Sequence, residues 1–184
     1  MKYILTALFI FAASLAQAAV TYDEDTHTMR ITGVTDIYML SDVQKMLAAH
    51  DVDTIYMKGP GGDYYAGLSI GRAIQKEGSR VIVARGDECV SACAFAALGG
   101  ADVFVDGVLL FHKPYVTSVP AHATIDEMSA QYGVVYLDMA QYLVEVGSDM
   151  KFAKRLLKQT NYCKFLQVNS KNGMDNPKFI DRCG

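Results

Sequence analysis

The amino-acid sequence predicts an α/β protein in which a mostly parallel sheet is covered by helices. Short apolar segments rich in β-branched residues, over 53–58 and 80–84, have the length and composition of buried strands. Between them, apolar residues recur at helical spacing, which predicts a helix from Ala66 to about Gly78. Strand and helix alternate in this way along much of the chain, and such alternation favours parallel strands joined by helices.

The other predicted elements continue this alternation. Ser41 has the residue type of an N-cap and predicts a helix over 42–50. The dipeptide Asp106-Gly107 predicts a hairpin or a tight turn between two short strands. The remaining predicted elements are a strand over 28–34, a helix over 89–98, strands over 102–105 and 108–111, and helices over 124–147 and 148–158. From Asn169 onward, turn residues dominate and no element is predicted.

The first residues resemble a cleavable secretory signal peptide. Lys2 supplies a positive start, 4–15 is an apolar run, and Ala16-Gln17-Ala18 is the small-x-small pattern that signal peptidase reads. The apolar run is shorter than the about 20 residues of a membrane span, which argues against the alternative of an uncleaved anchor. We therefore expect cleavage before Ala19 and an exported protein, periplasmic or secreted, with no stable membrane span. Without repeats or long linkers, 19–184 is expected to form one domain.

Composition excludes some classes of partner and leaves four cysteines to explain. The net charge is −3 and no basic stripe is present, so we expect no nucleic-acid partner. An even number of cysteines in an exported protein favours two disulfides, for which three connectivities exist. We favour Cys89 with Cys93 and Cys163 with Cys183, because each pair is close in sequence. A zinc site is the competing use, but no histidine lies at finger-like spacing, and neither a metal nor a cofactor is expected.

Three features that could carry chemistry lie at the predicted strand ends. A glycine-rich turn, Gly59-Pro60-Gly61-Gly62, follows one strand, Ser91 begins the segment after the next, and His112 ends a later strand. Glycines and helix N-termini present backbone N–H groups, which an acyl-transfer oxyanion requires. A serine with a histidine able to take its proton completes the minimum for nucleophilic catalysis. Each feature alone is more often a simple turn, a helix cap or a structural histidine.

Together, the three motifs resemble the proteolytic subunit of Clp protease. The glycine turn is followed by Cys89-Val90-Ser91-Ala92-Cys93 and by Leu110-Phe111-His112-Lys113-Pro114, and more narrowly the chain resembles exported ClpP-like serine peptidases. The resemblance covers 54–114 well and 124–166 loosely. It implies a ClpP/crotonase-type fold of repeated ββα units and a homo-oligomer that acts on peptides or unfolded polypeptides.

Family roles carry over residue by residue. Ser91 matches the nucleophile and His112 the general base. The backbone N–H groups of Gly62 and Ala92 match the two halves of the oxyanion hole. Gly61 shapes the turn and allows the substrate backbone to approach closely.

The chain departs from the family where the third member of the triad is expected. Cys163 stands at the position of the family's aspartate. Asn161, Asp149 or Asp138 could orient the histidine instead, or a Ser-His dyad could act without an acid. Loss of an orienting acid can cost about 10⁴-fold in turnover.

Further departures and alternatives follow from the same region. Gly59 replaces the serine that usually precedes Pro-Gly-Gly, and we expect it to loosen the turn. Lys113 is the alternative base, as in signal peptide peptidase A relatives. The missing acid favours a second hypothesis, a catalytically degenerate binding or scaffold protein. A third hypothesis, an acyl-CoA enzyme on the crotonase fold, conflicts with the export signal because acyl-CoA substrates are cytosolic.

Overall fold

The computed structural model describes residues 19–115, 122 and 124–183, so the predicted signal peptide over 1–18 lies outside the described residues. Within them the chain forms nine strands and five helices. The strands are β1 (Ala19–Asp23), β2 (Thr28–Thr35), β3 (Thr54–Gly62), β4 (Arg80–Val83), β5 (Glu88–Val90), β6 (Asp102–Val105), β7 (Val108–Phe111), β8 (Lys164–Val168) and β9 (Lys178–Asp181). The helices are α1 (Ile37–Ala49), α2 (Tyr64–Glu77), α3 (Ala92–Ala97), α4 (Ile125–Glu145) and α5 (Met150–Gln159). None of these helices is long and apolar enough to cross a membrane.

The strands form one sheet that is parallel through its centre, which confirms the predicted fold class. The β2–β3, β3–β4, β3–β5, β4–β6 and β5–β7 pairs are parallel, whereas the β1–β2, β7–β8 and β8–β9 pairs at the edges are antiparallel. The long strand β3 has two neighbours on one side. Its first half pairs with β4, and further along Gly59 pairs with Cys89 of β5. The predicted turn over 59–62, called the glycine turn below, is itself the last part of β3, because Gly61 and Gly62 pair with β2. The branching of the sheet brings this segment beside the start of α3.

The helices that carry the site rest on a core of aromatic side chains. The rings of Phe95, Phe111 and Phe152 meet edge to face in sequence, with centroids 5.4 and 5.1 Å apart. Tyr142 of α4 is fully buried and its hydroxyl donates a hydrogen bond to the Phe95 carbonyl oxygen at 2.7 Å. Helices α3, α4 and α5 and strand β7 are thereby packed as one body.

Helix α1 begins earlier than the sequence predicts. Its N-cap is Asp36 and not Ser41, and the Asp36 carboxylate accepts a hydrogen bond from a backbone N–H of the first turn at 2.8 Å. The side chains of Ile37 and Tyr38 in this turn are 63% and 77% exposed. Because these two apolar side chains face solvent, they lie outside the buried face of the helix. A prediction based on apolar periodicity therefore begins the helix too late.

Two further predictions are corrected around the site. The helix predicted over 89–98 is divided at Ser91 into β5 and α3, because the backbone of Ser91 belongs to neither element. The hairpin alternative for Asp106-Gly107 is wrong, because β6 and β7 pair with β4 and β5 and not with each other. A tight turn forms instead, in which both N–H groups donate to the Val83 carbonyl oxygen at 3.0 and 2.9 Å.

Three strands lie where the sequence predicts no element. β1 pairs with β2, while β8 and β9 extend the sheet beyond β7. A disulfide between Cys163 and Cys183 joins the residue before β8 to the residues after β9. The C-terminal segment is thus part of the sheet, and its last residues lie beside the candidate site.

Candidate active site

Ser91 occupies a strained turn between β5 and α3. Its backbone has φ 54° and ψ −121°, and positive φ is rare for residues with a side chain. The Ser91 N–H donates to the Leu110 carbonyl oxygen of β7 at 2.7 Å, which holds the turn against the sheet. Strained backbone of this kind persists only where the surroundings enforce it, and it concentrates at functional sites. The side chain is half-buried at the start of the helix.

The glycine turn packs directly on this serine. A Cβ atom at Gly61, whose φ is +86°, would lie 2.5 Å from the Val90 carbonyl oxygen and 2.8 Å from the Cβ of Ser91. At Gly62, whose φ is +149°, a Cβ would overlap the Thr35 carbonyl oxygen. Only glycine fits both positions, since a side chain would push the turn away from the serine.

Gly59 packs as closely as its two successors, so the expectation that it loosens the turn is not met. A Cβ at Gly59 would overlap the carbonyl oxygen of Gly33. Gly33 lies where the register between β2 and β3 shifts, at a bulge. The bulge brings the β2 backbone against β3 and leaves no room for a serine side chain at this position.

The backbone N–H of Ala92 lies where the glycine turn meets α3. The Ala92 nitrogen lies 3.0 Å from the position that a Gly61 Cβ would take. As the first residue of the helix, Ala92 has no carbonyl partner one turn earlier, and Ser91 makes no side-chain cap hydrogen bond. Ala92 itself is 1% exposed.

His112 follows β7 with its ring held on three sides. Its Nδ1 lies 2.9 Å from the Lys113 carbonyl oxygen. The ring stacks on Tyr115 and meets the edge of Phe165, with centroids 5.3 and 4.9 Å away. Because a carbonyl oxygen only accepts, Nδ1 carries the proton and Nε2 is the unprotonated nitrogen.

Burial also affects the charge of His112. The side chain is only 6% exposed, and this burial lowers its pKa below the usual value of 6.5. The hydrogen bond to the Lys113 carbonyl opposes the shift only in part. The imidazole is therefore neutral at pH 7, the form that can accept a proton.

Ser91 and His112 line the same two cavities. One, of about 250 Å³, is bounded by Gly62 and by the aromatic side chains of Tyr64 and Phe95. The other, of about 390 Å³, is bounded by the glycine turn and the C-terminal segment. The structure therefore brings four predicted site residues, Gly61, Gly62, Ser91 and His112, to the walls of one cleft.

Within the described part of the chain, none of the candidates for the orienting acid is hydrogen-bonded to His112, whose Nδ1 lies beside the Lys113 carbonyl oxygen. Cys163 is bonded to Cys183, and the Asn161 side chain accepts backbone hydrogen bonds from its own turn at 2.8 Å. Asp149 caps α5, and Asp138 lies 3.8 Å from Arg72. The disulfide, hydrogen bonds and ion pair that these four residues make are therefore all with groups other than His112.

The cysteines pair as the sequence favours. Cys89 bonds to Cys93 and Cys163 to Cys183, each with Cα atoms 5.2 Å apart. The first disulfide joins β5 to α3 across Ser91, and both of its cysteines are almost fully buried. The second holds the C-terminal segment at the cleft.

Sequence reasoning missed four residues around the site. Thr160, which ends α5, is 3% exposed and bonds to the backbone next to His112. Tyr115 and Phe165 contact the His112 ring, and Arg182 lines the second cavity while its guanidinium pairs with Glu88 at 3.0 Å. These residues are far apart in sequence and belong to no short motif, so no local signal marks them.

The sheet with its parallel centre and the helices that cover it have a ClpP-like fold. Two solved structures of ClpP1 from Listeria monocytogenes match the chain with a TM-score of 0.60 over 80% of this chain and 85% of theirs. The sequence identity is 18% for ClpP1 itself and 19% for a point mutant of it. No family model and no curated protein matches the sequence. The likeness therefore supports the fold alone. That fold is the one that the sequence motifs imply.

Proposed function

We propose that this protein is an exported ClpP-like serine peptidase. The observation that carries the proposal is the shared cleft, in which a serine on a strained turn and a buried, neutral histidine lie beside a packed glycine turn. Such a combination supplies a nucleophile, a base and backbone donors in one place. The ClpP-like fold adds support, because the comparison of structures finds the same fold that the sequence motifs imply.

The reaction would follow acyl-transfer chemistry. The Ser91 Oγ attacks the carbonyl carbon of the peptide bond while the Nε2 of His112 takes the hydroxyl proton. The N–H groups of Gly62 and Ala92 donate to the oxyanion that forms. His112 then gives its proton to the leaving amine, and the acyl group remains on Ser91. Water, deprotonated by His112, hydrolyses this ester and restores the serine.

The remaining assignments belong to the same proposal. Two disulfides and a signal-peptide-like start support an exported protein, either periplasmic or secreted, with one domain over 19–184. The strand–strand–helix order of β4-β5-α3 and β6-β7-α4 supports the repeated ββα units of the ClpP and crotonase folds. We propose peptides or unfolded polypeptides as substrates and a homo-oligomer as the assembled state.

The replacement of the family's acid supports a second candidate, a degenerate binding or scaffold protein. Cys163 is committed to a disulfide and cannot act as an acid. A histidine without a carboxylate partner is a weaker catalyst, so the fold could persist after turnover is lost.

A fluorophosphonate probe separates the two candidates, because it labels only an activated serine. Purified, disulfide-bonded protein should be labelled, Ser91→Ala should not, and His112→Ala should react at least about 100-fold more slowly. Ser41→Ala, in α1 and not among the residues that line the two cavities, is the matched control and should label as wild type does. Folded wild type that resists the probe would reject catalysis and leave the scaffold candidate.

Export has its own test. Mass spectrometry of the protein from its native cell should find a mature N-terminus at Ala19. A soluble cytosolic product that retains Met1 would contradict both the signal peptide and the proposed location.

A further inference from the structure

The buried hydroxyl of Thr160 has both of its hydrogen-bonding roles committed. It donates to the Leu156 carbonyl oxygen at 2.6 Å, within α5, and its oxygen accepts the Lys113 N–H at 2.8 Å. The hydroxyl has one hydrogen, and the helix carbonyl takes it, so the oxygen is left to hold Lys113. The two residues are 47 positions apart in sequence, and this bond ties the end of α5 to the backbone that follows β7.

The Lys113 backbone is restrained on both sides. Its N–H is bound by Thr160, and Pro114 follows it directly. A proline confines the preceding residue to extended conformations, which limits where the Lys113 carbonyl can point. That carbonyl accepts the Nδ1 proton of His112 at 2.9 Å. A chain of three hydrogen bonds therefore runs from helix α5 to the imidazole.

We infer that Thr160 is a positioning residue that orients His112 through the Lys113 backbone, with the Lys113 carbonyl in the place of the missing triad acid. The inference rests on the proposed function. A carbonyl can do two of the three things that a carboxylate does: it selects the Nδ1–H tautomer and it holds the plane of the ring. It lacks the full negative charge that stabilises an imidazolium.

A structural role for Thr160 is the alternative, since its hydroxyl also bonds to the last turn of α5. Three variants separate the two roles. Thr160→Val keeps the shape of the side chain and removes the hydroxyl, whereas Thr160→Ser keeps the hydroxyl. Ala153→Gly weakens the buried face of the same helix and leaves the Thr160 hydrogen bonds in place.

The first measurement is the rate of fluorophosphonate labelling as a function of pH. Thr160→Val should label roughly 10- to 100-fold more slowly, because a displaced base loses its alignment with the serine. The midpoint of its pH profile should rise towards that of an exposed histidine as the loosened ring gains water. Thr160→Ser should recover most of the rate, and Ala153→Gly should keep the wild-type rate and profile. Equal losses in Thr160→Val and Ala153→Gly, or no loss in Thr160→Val, would overturn the inference.

The second measurement does not need catalysis. Nitrogen-15 chemical shifts of the imidazole, assigned by comparison with His112→Gln, report which nitrogen carries the proton. Wild type should show the Nδ1–H tautomer and Thr160→Val a mixture. An Nε2–H tautomer in wild type overturns the inference even if Thr160→Val does not fold. A correct tautomer in a wild type that resists the probe would reject the proposed function and leave the positioning intact.

Discussion

On the nucleophile side of the cleft, where β3 and β5 meet α3, Ser91 is held by a disulfide and by glycines packed backbone against backbone. On the base side, where His112 follows β7, the imidazole is held by hydrogen bonds and by two aromatic rings. Compared with the pattern that the ClpP resemblance implies, the first side departs only at Gly59, whereas the second side lacks the expected acid. The comparison teaches that a disulfide and close backbone packing hold the nucleophile in place. Beside the base, a backbone carbonyl takes the place of a side-chain acid.

The largest effect is expected at the glycine turn. Gly61→Ala should lower the labelling rate by about 100-fold or more, because the new Cβ would meet the turn that presents Ser91. Gly78→Ala is the matched control, since Gly78 has a similar φ of +82° but nothing within 4 Å of the added atom. It should cost about 1 kcal/mol of stability and leave labelling unchanged. Urea unfolding and probe kinetics measure both; similar losses of labelling in the two variants would contradict the steric argument.

The two disulfides should affect stability and labelling in opposite order. Removing Cys163–Cys183, with a separation of 20 residues, should cost about 3 kcal/mol on a chain-entropy basis. Removing Cys89–Cys93, with a separation of 4, should cost about 2 kcal/mol. The alanine pair at 89 and 93 should nevertheless lose more labelling, roughly 10-fold, because that disulfide spans the nucleophile. Urea unfolding and probe kinetics on both alanine pairs test this. If the same disulfide caused the larger loss of both stability and labelling, the two sides of the cleft would not differ in the way described.

The base side should respond to pH. Labelling by wild type should be constant near neutral pH and fall as the solution is acidified through the pKa of His112, which burial places below 6.5. The unfolded chain protonates this histidine at higher pH than the folded chain, so wild type should also lose stability relative to His112→Gln as pH falls below about 6.5. Rate and urea profiles measure the two effects. A labelling midpoint above 6.5 would contradict the burial argument.

The smallest effect is expected from restoring the family's acid. Cys163→Asp with Cys183→Ala should label within about twofold of the alanine pair at the same positions, because the Nδ1 proton of His112 is already bonded to the Lys113 carbonyl. The alanine pair controls for the lost disulfide. A large gain in the aspartate variant, measured by probe kinetics, would mean that the base side is merely incomplete.

Local sequence patterns predicted many of the strands and helices. Buried strands and amphipathic helices have short-range signatures, so β3, β4, β6, β7, α2, α4 and α5 were each predicted within a few residues of their bounds. The break at Ser91 escaped prediction, since nothing in an alanine- and cysteine-rich segment signals a positive φ. The strands β8 and β9 escaped it as well, because their stability comes from pairing with β7.

The sequence by itself determined the α/β class, the order of the three motifs and the neighbouring cysteines, because each depends on residues close together in the chain. Only the tertiary structure decided what holds His112. Thr160 and the Lys113 backbone meet because α5 ends beside β7, and the hydroxyl is buried with both of its partners supplied by backbone groups. Any residue type can supply a backbone carbonyl, so a partner of that kind leaves no mark on the sequence.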